Sequence, residues 1–292
     1  MINPRIEKGA PVIVQGITGR QGQLHTALMR AYGTNIVGGV SPKSSTEDVN
    51  GLPVFKSCAE AVKATGAAAT IVLVRPDLAA DAIIEAAQAG IPTVVCVAEG
   101  IPVHDALRAS RITRELGIFW VGASTPGMAI PSIGLKLGFL PNVALQPGSV
   151  GMMSKSGTLS YEVGYRLAAR NIGQSVWVGV GGDSVKGTRF ADLVPFYKQD
   201  AETKALVIVG EIGGDEEESL ATAITAENFT KPVFAVIAGS SAPEGVTMGH
   251  AGAMVYGAFG SAKSKRAALE NAGARVFLTI EGLVNAVSDL NL

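Results

Sequence analysis

The sequence predicts an α/β protein built from two doubly wound units in series, each a mostly parallel sheet. Three observations predict it. Short apolar runs alternate with helix-length stretches through both halves of the chain. The alternation breaks once, around residues 123–147, where Pro126, Pro131, Pro141 and Pro147 cluster with glycines. Glycine makes up 36 of the 292 residues, above the usual share of about 7%, and it falls where apolar runs end. That is the punctuation of loops that let backbone approach a ligand.

In the first half, Pro11–Val14, Asn35–Val40, Ala68–Val74, Thr93–Val97 and Ile118–Val121 read as strands. Gly22–Tyr32, Ser57–Ala64, Leu78–Ala89 and Val103–Leu116 read as the helices between them. Strand, helix, strand at this spacing predicts βαβ units with right-handed crossovers. The rhythm restarts with strands at Val150–Ser154, Ser175–Val180, Leu206–Val209, Val233–Ile237 and Arg275–Leu278. Helices are expected over Thr158–Arg170, Arg189–Tyr197, from Glu216, over Lys263–Ala272 and over Glu281–Val287, with a Gly-rich loop from about Ala238 to Gly260. The domains are therefore expected at 1–125 and 148–292, joined by a linker over 126–147.

Composition narrows the function. Lys and Arg number 24 and Asp and Glu 25, a net charge of −1, which exerts no long-range pull on nucleic acid or a membrane surface. No run approaches the roughly 18 apolar residues of a membrane helix. Cys58 and Cys96 have no partners at metal or redox spacing and read as reduced core residues. The N-terminal stretch lacks a signal peptide's apolar segment, so a cytoplasmic enzyme is expected.

Gln15-Gly16-Ile17-Thr18-Gly19-Arg20-Gln21-Gly22 follows the first strand and opens the first helix. It is a relative of the dinucleotide fingerprint but not that fingerprint. Glycines allow the tight turn, and the free N–H groups of a helix start attract phosphate. The second strand ends Val40-Ser41-Pro42-Lys43, with no acidic residue for a ribose hydroxyl. This disfavours an NAD-dependent dehydrogenase, and the lysine suits a ligand with an extra phosphate.

In the second half, Ser154-Lys155-Ser156-Gly157-Thr158 lies between strand and helix and forms another anion cradle. Glu211 ends a buried strand; its plainer reading is a capping carboxylate. His250 stands in Met248-Gly249-His250-Ala251-Gly252-Ala253, where small neighbours leave nothing bulky to bury it against. It reads as a residue that meets a substrate. His25 and His104 lie in helical stretches and read as ordinary structural residues.

These motifs, with Val37-Gly38-Gly39-Val40, Glu99-Gly100-Ile101-Pro102, Gly181-Gly182-Asp183 and Gly210-Glu211-Ile212-Gly213-Gly214, resemble in order and spacing the α subunits of succinate–CoA ligases. The resemblance covers nearly the whole chain. It implies a Rossmann-like CoA-binding domain followed by a flavodoxin-like ligase domain. It implies CoA contacts at Thr18, Gly19, Arg20, Gln21, Lys43, Val97, Ala98 and Glu99. His250 matches a phosphorylated histidine, Glu211 its carboxylate partner, and Ser154, Ser156, Gly157 and Thr158 the helix start that receives the phosphate. Tyr161 matches a contact to the acid. The resemblance further implies a β subunit whose ATP-grasp fold binds ATP or GTP with Mg2+, and a small dicarboxylate or related acid as substrate. Succinate is the first expectation, with malate or citrate as alternatives; a CoA-binding regulatory protein without turnover is the reading from another class. The chain departs from the family's usual Gly-Pro-Asn-Cys-Pro-Gly with Gly122-Ala123-Ser124-Thr125-Pro126-Gly127. The family's CoA lysine sits one position after Lys43, at Ser44.

Overall fold

The computed structural model describes residues 2–43, 45–239, 254 and 260–292. The first half folds as β1 (Val12–Gln15), α1 (Arg20–Tyr32), β2 (Ile36–Val40), β3 (Asp48–Val49), β4 (Leu52–Phe55), α2 (Cys58–Thr65), β5 (Ala69–Val72), α3 (Pro76–Gln88), β6 (Thr93–Cys96), α4 (Val103–Glu115) and β7 (Phe119–Val121). Every residue of β1, β5 and β6 is buried. Unbroken apolar runs are what parallel strands covered on both faces require. Local signals start the helices: the Ser57 side chain accepts a hydrogen bond from Glu60 N at the head of α2, and proline opens α3.

The first sheet runs β3-β4-β2-β1-β5-β6-β7. Only β3 is antiparallel, paired with β4. Numbering the parallel strands along the chain gives the order 3-2-1-4-5-6 of a dinucleotide-binding sheet, which reverses between β1 and β5. The β3–β4 hairpin was not among the expected strands; it is short, and Pro53 interrupts it.

The second half comprises β8 (Gly127–Ile130), β9 (Leu135–Gly138), β10 (Pro147–Ser154), α5 (Gly157–Ala168), β11 (Gln174–Gly179), α6 (Phe190–Gln199), β12 (Ala205–Glu211), α7 (Glu216–Ala226), β13 (Val233–Ala238), α8 (Ala262–Asn271), β14 (Arg275–Phe277) and α9 (Ile280–Ser288). Its sheet runs β14-β13-β12-β10-β11-β8-β9. The parallel strands follow the flavodoxin order 2-1-3-4-5, read from the β11 side, and the order reverses between β10 and β12. Both expected sheet types are present.

The expected linker over 126–147 is corrected. Its strands β8 and β9 form an antiparallel hairpin, and β8 pairs with β11. All eight residues of the two strands are buried. The prolines flank or join these strands rather than mark a free connection. Pro131 opens a single 3-10 turn between them.

The two halves share one continuous core cluster, from Val12 and Phe119 through Met128 and Leu137 to Met153 and Ile208. Polar ties reinforce it. Thr34 Oγ1 donates to Lys136 O at 2.8 Å, and Arg5 grips Asp200 through Nη2 at 2.8 and 3.0 Å.

Gly127 and Gly138 face each other in the hairpin. Gly127 has φ +109°, and a Cβ there would stand 1.9 Å from Leu137 O. Gly127→Ala is expected to destabilise the protein by about 2–4 kcal/mol, combining backbone strain with a backbone clash. Urea unfolding midpoints of the two proteins check this.

Candidate active site at the junction of the two sheets

Ligands of open α/β sheets bind where the strand order reverses, outside the carboxyl ends of the strands. In the first sheet that point is the exit of β1. Gly16 turns there with φ +84°, and a Cβ on Gly22 would lie 2.1 Å from Gly16 O, so only glycine lets α1 start this close. The N-cap of α1 is Gly19, which has no side chain to satisfy the first-turn N–H groups. The Thr18–Gln21 segment therefore opens the helix with its orphan donors uncapped, which fits an anion. Thr18 Oγ1 lies 3.0 Å from Ser41 Oγ, tying the turn to the exit of β2. Beside it is a cavity of about 330 Å³ lined by Gly16, Ser41, Lys43, Val74 and Leu78 among others. Its lining joins the Lys43 cation and an apolar wall to two carboxylates, Asp81 and Glu85, and none of Thr18–Gln21 is part of it.

A second cavity, of about 280 Å³, lies between the halves. Val97 and Glu99 reach it from the exit of β6, Ser124 and Thr125 from the exit of β7, and Ser156, Gly157, Thr158 and Tyr161 from the start of α5. The structure thus brings the second expected CoA segment and the expected phosphate cradle together; Ala98 is buried beside them. Ser156 caps α5, its hydroxyl accepting from Leu159 N at 3.4 Å. Ser154 is not at this cavity: it is fully buried, and its hydroxyl donates to Ser156 O at 2.5 Å. The Thr125 hydroxyl is also committed, donating to Gly179 O and accepting from Gly127 N at 2.9 Å. Burial pushes the Tyr161 phenol up to about 12, so it stays a neutral donor.

Behind α5 lies a buried network that sequence reasoning missed. Lys155 and Glu211 end at the reversal point of the second sheet, with Nζ 3.7 Å from Oε1. Glu211 N donates to Glu217 Oε1 at 3.0 Å, and the fully buried Lys265 pairs with Glu217. Lys186 Nζ donates to Gly181 O at 2.6 Å and lies 3.5 Å from Glu216 Oε2, which Arg189 Nε approaches at 3.3 Å. In sequence, Glu216 marks only the start of one expected helix and Lys265 lies within another. No spacing rule links positions so far apart. A cleft of about 570 Å³ is lined by Lys155, Asp183, Lys186, Gly213, Glu216 and Met254. His250 lies outside the described residues; Met254 is four positions further along the chain. Cys58 and Cys96 are buried, and burial pushes both thiols up to about 12. Among the described residues no helix is long and apolar enough to cross a membrane.

Two family models match the chain: a CoA binding domain over residues 7–100 and a CoA-ligase domain over 153–275. The chain is 45% identical over 285 residues to subunit alpha 2 of the ADP-forming succinate–CoA ligase of Archaeoglobus fulgidus, covering 98% of each. This chain belongs to the succinate–CoA ligase α-subunit family. The α subunit from Aquifex aeolicus is likewise 45% identical, over 93% of this chain and 89% of its own length. Among solved structures, ATP citrate lyase of Methanosaeta concilii superposes with a TM-score of 0.85 at 24% identity, over 98% of this chain and 50% of the lyase. That likeness is one of fold: this α-subunit fold recurs as half of a longer chain.

The charge network of this family member has a testable energy. Burial acts to raise the Glu216 carboxyl, but Lys186, the Phe190 N–H and Arg189 outweigh it and hold the group below its ordinary value. Burial also lowers Lys186. Glu216→Gln leaves a buried lysine uncompensated and is expected to cost about 3 kcal/mol at pH 7. A carboxyl depressed by folding contributes above its unfolded value, and the contribution is lost as pH falls through its folded value. The gap between the two proteins should therefore narrow below about pH 4. Urea unfolding across pH checks both the size and the sign.

Proposed function

We propose that this chain is the α subunit of a nucleoside-diphosphate-forming acid–CoA ligase, with succinate as the acid, working with a β subunit that binds the nucleoside triphosphate and Mg2+. The observation that carries the reading is the junction cavity, where the exits of β6 and β7 meet the capped start of α5. Family membership supports it.

In this reading Thr18–Gln21 and Lys43 hold the CoA phosphates, and Val97, Ala98 and Glu99 lie along its thiol end. His250 attacks the terminal phosphorus of the triphosphate; a P–N bond forms and the diphosphate leaves. Glu211 accepts a hydrogen bond from the other ring nitrogen's N–H, which keeps its proton; this fixes the tautomer and stabilises the cation that develops. The orphan N–H groups at Gly157 and Thr158 and the positive end of α5 receive the phosphoryl group. With the Ser154 hydroxyl held by Ser156 O, Ser154 shapes this turn rather than donating to phosphate. The acid, beside Tyr161, attacks phosphorus through a carboxylate oxygen; the P–N bond breaks and the imidazole returns neutral. The CoA thiolate then attacks the acyl phosphate carbon, inorganic phosphate leaves, and the thioester is formed.

Co-expression with a family β subunit tests the scheme. Labelled triphosphate is expected to mark this chain with a phosphoryl group that survives alkali, and His250→Asn is expected to abolish the label and thioester formation together. The purified chain alone should form no thioester. Label persisting in His250→Asn removes the assignment, and label without thioester on any of succinate, malate or citrate favours a regulatory role. The acid with the highest kcat/KM identifies the substrate; malate or citrate ranking above succinate moves the chain to a related ligase.

A further inference from the structure

The turn carrying Glu99, at the exit of β6, is held on one side by the connection between β7 and β8 and on the other by the loop that follows β11 of the second sheet. Ser124 N donates to Ala98 O at 2.8 Å, and Gly182 N donates to Ser124 O at 3.1 Å. One residue on, the Asp183 carboxylate reaches back: Oδ2 accepts from Gly100 N at 3.0 Å, and the Ile101 backbone adds a second bond. These bonds close a ring, from Ala98 through Ser124, Gly182 and Asp183 to Gly100. Glu99 is the one residue between its two ends. Its backbone is fixed from before and behind, and it lines the junction cavity together with the start of α5.

Asp183 is an expensive residue for a merely structural task. It is buried. Burial, with help from the charge of Glu99, raises its carboxyl, and the two backbone N–H groups oppose that. Apart from the contacts through Ser124, it is the group by which the ligase half holds the far side of the turn.

The geometry points to Asp183 as a positioning residue for acyl transfer: by closing this ring it sets where the Val97–Glu99 segment stands relative to the N-terminus of α5. This rests on the reading of that segment as lying along the thiol end of CoA. Asp183 touches neither reacting atom in this scheme; it acts through the turn. Its loss should therefore leave the first half-reaction, transfer of phosphoryl to this chain, untouched. The second, CoA-dependent half should slow, because its two groups come from different halves of the molecule and misplacement by about 1 Å can cost on the order of 100-fold.

The test uses the complex with its β subunit and four proteins: wild type, Asp183→Ala, Asp183→Asn and Asp183→Glu. The asparagine oxygen can accept the same backbone bonds, whereas glutamate keeps the charge but displaces its oxygens by a methylene. Rates of labelling by triphosphate, and of label discharge by acid with CoA, are measured separately by rapid quench. Amide exchange at Gly100 and Ile101 reports the ring itself. The expected result is equal labelling in all four. Discharge should slow roughly 10- to 100-fold in Ala and Glu, with a raised KM for CoA and faster exchange at Gly100. Asn should stay close to wild type. Unchanged discharge in Ala and Glu overturns the inference, as does labelling that slows in step with discharge or an Asn variant as impaired as Ala. If Ala fails to fold, the contrast between Glu and Asn decides. Failure of the ligase reading shows elsewhere, as absence of label in the wild type.

Discussion

At the seam between the two sheets, backbone lies directly on backbone, and the rest of the molecule is arranged around that closeness. A Cβ on Gly181 would stand 1.9 Å from Ala123 O and one on Gly187 2.2 Å from Trp120 O. No side chain fits at these two positions. The approach lets Gly187 N donate to Gly122 O at 2.7 Å and Thr188 Oγ1 to Trp120 O at 2.8 Å, so polar groups carried into the interior stay satisfied. With the seam this tight, the halves have one continuous core rather than a wettable interface, and groups contributed by different sheets keep a fixed spacing.

That fixed spacing is what the junction cavity uses. Each sheet alone would offer an anion site at its own reversal point, one at the uncapped start of α1 and one at the start of α5. In the proposed reaction, transfer of an acyl group from phosphate to a thiol draws on both, at a set distance. The strand exits that meet at the seam, β6 and β7 from the first half and β10 and β11 from the second, supply the wall between them. Thr125 shows how the sequence adapts to this. Its hydroxyl bridges Gly179 O and Gly127 N inside the wall, so of the two adjacent hydroxyl residues that line the cavity, Ser124 is left to shape its chemistry.

Much of this was legible in the sequence because it is local. Apolar runs ended by glycine gave the parallel strands, and the turns at Gly16–Gly22 and Ser154–Thr158 follow directly from strand-to-helix connections. What was not legible depends on partners far away in the chain. The β8–β9 hairpin looks like a linker because its strands are four residues long and flanked by prolines; only the presence of β11 beside it makes it sheet. Its Gly127–Gly138 pairing, which looks like loop composition, is a requirement of two strands crossing too closely for a side chain. Lys155 was visible only as one letter of a phosphate-loop motif. Its ion pair with Glu211 forms because β10 and β12 are neighbours, and strand order is a property of topology rather than of spacing. Lys265 and Glu217 are hidden for the same reason: a lysine in one helix and an acidic first turn in another look solvated until the helices pack.

The buried charges raise a question of purpose, because replacing such pairs by apolar residues commonly leaves a protein as stable or more so. Stability alone does not account for them. Their arrangement follows Glu211. Its backbone N–H is held by the Glu217 carboxylate, whose charge is balanced by Lys265, and its own carboxylate faces Lys155. Each ion pair thus fixes one side of the same strand end. Apolar replacements would fill the volume and release that end, since dispersion contacts have no preferred direction and hydrogen bonds do. In the role proposed for Glu211, a carboxylate that meets a ring nitrogen within hydrogen-bond reach needs that directionality. The network is best understood as a mount that holds Glu211 at the end of β12, beside the point where the strand order reverses between β10 and β12.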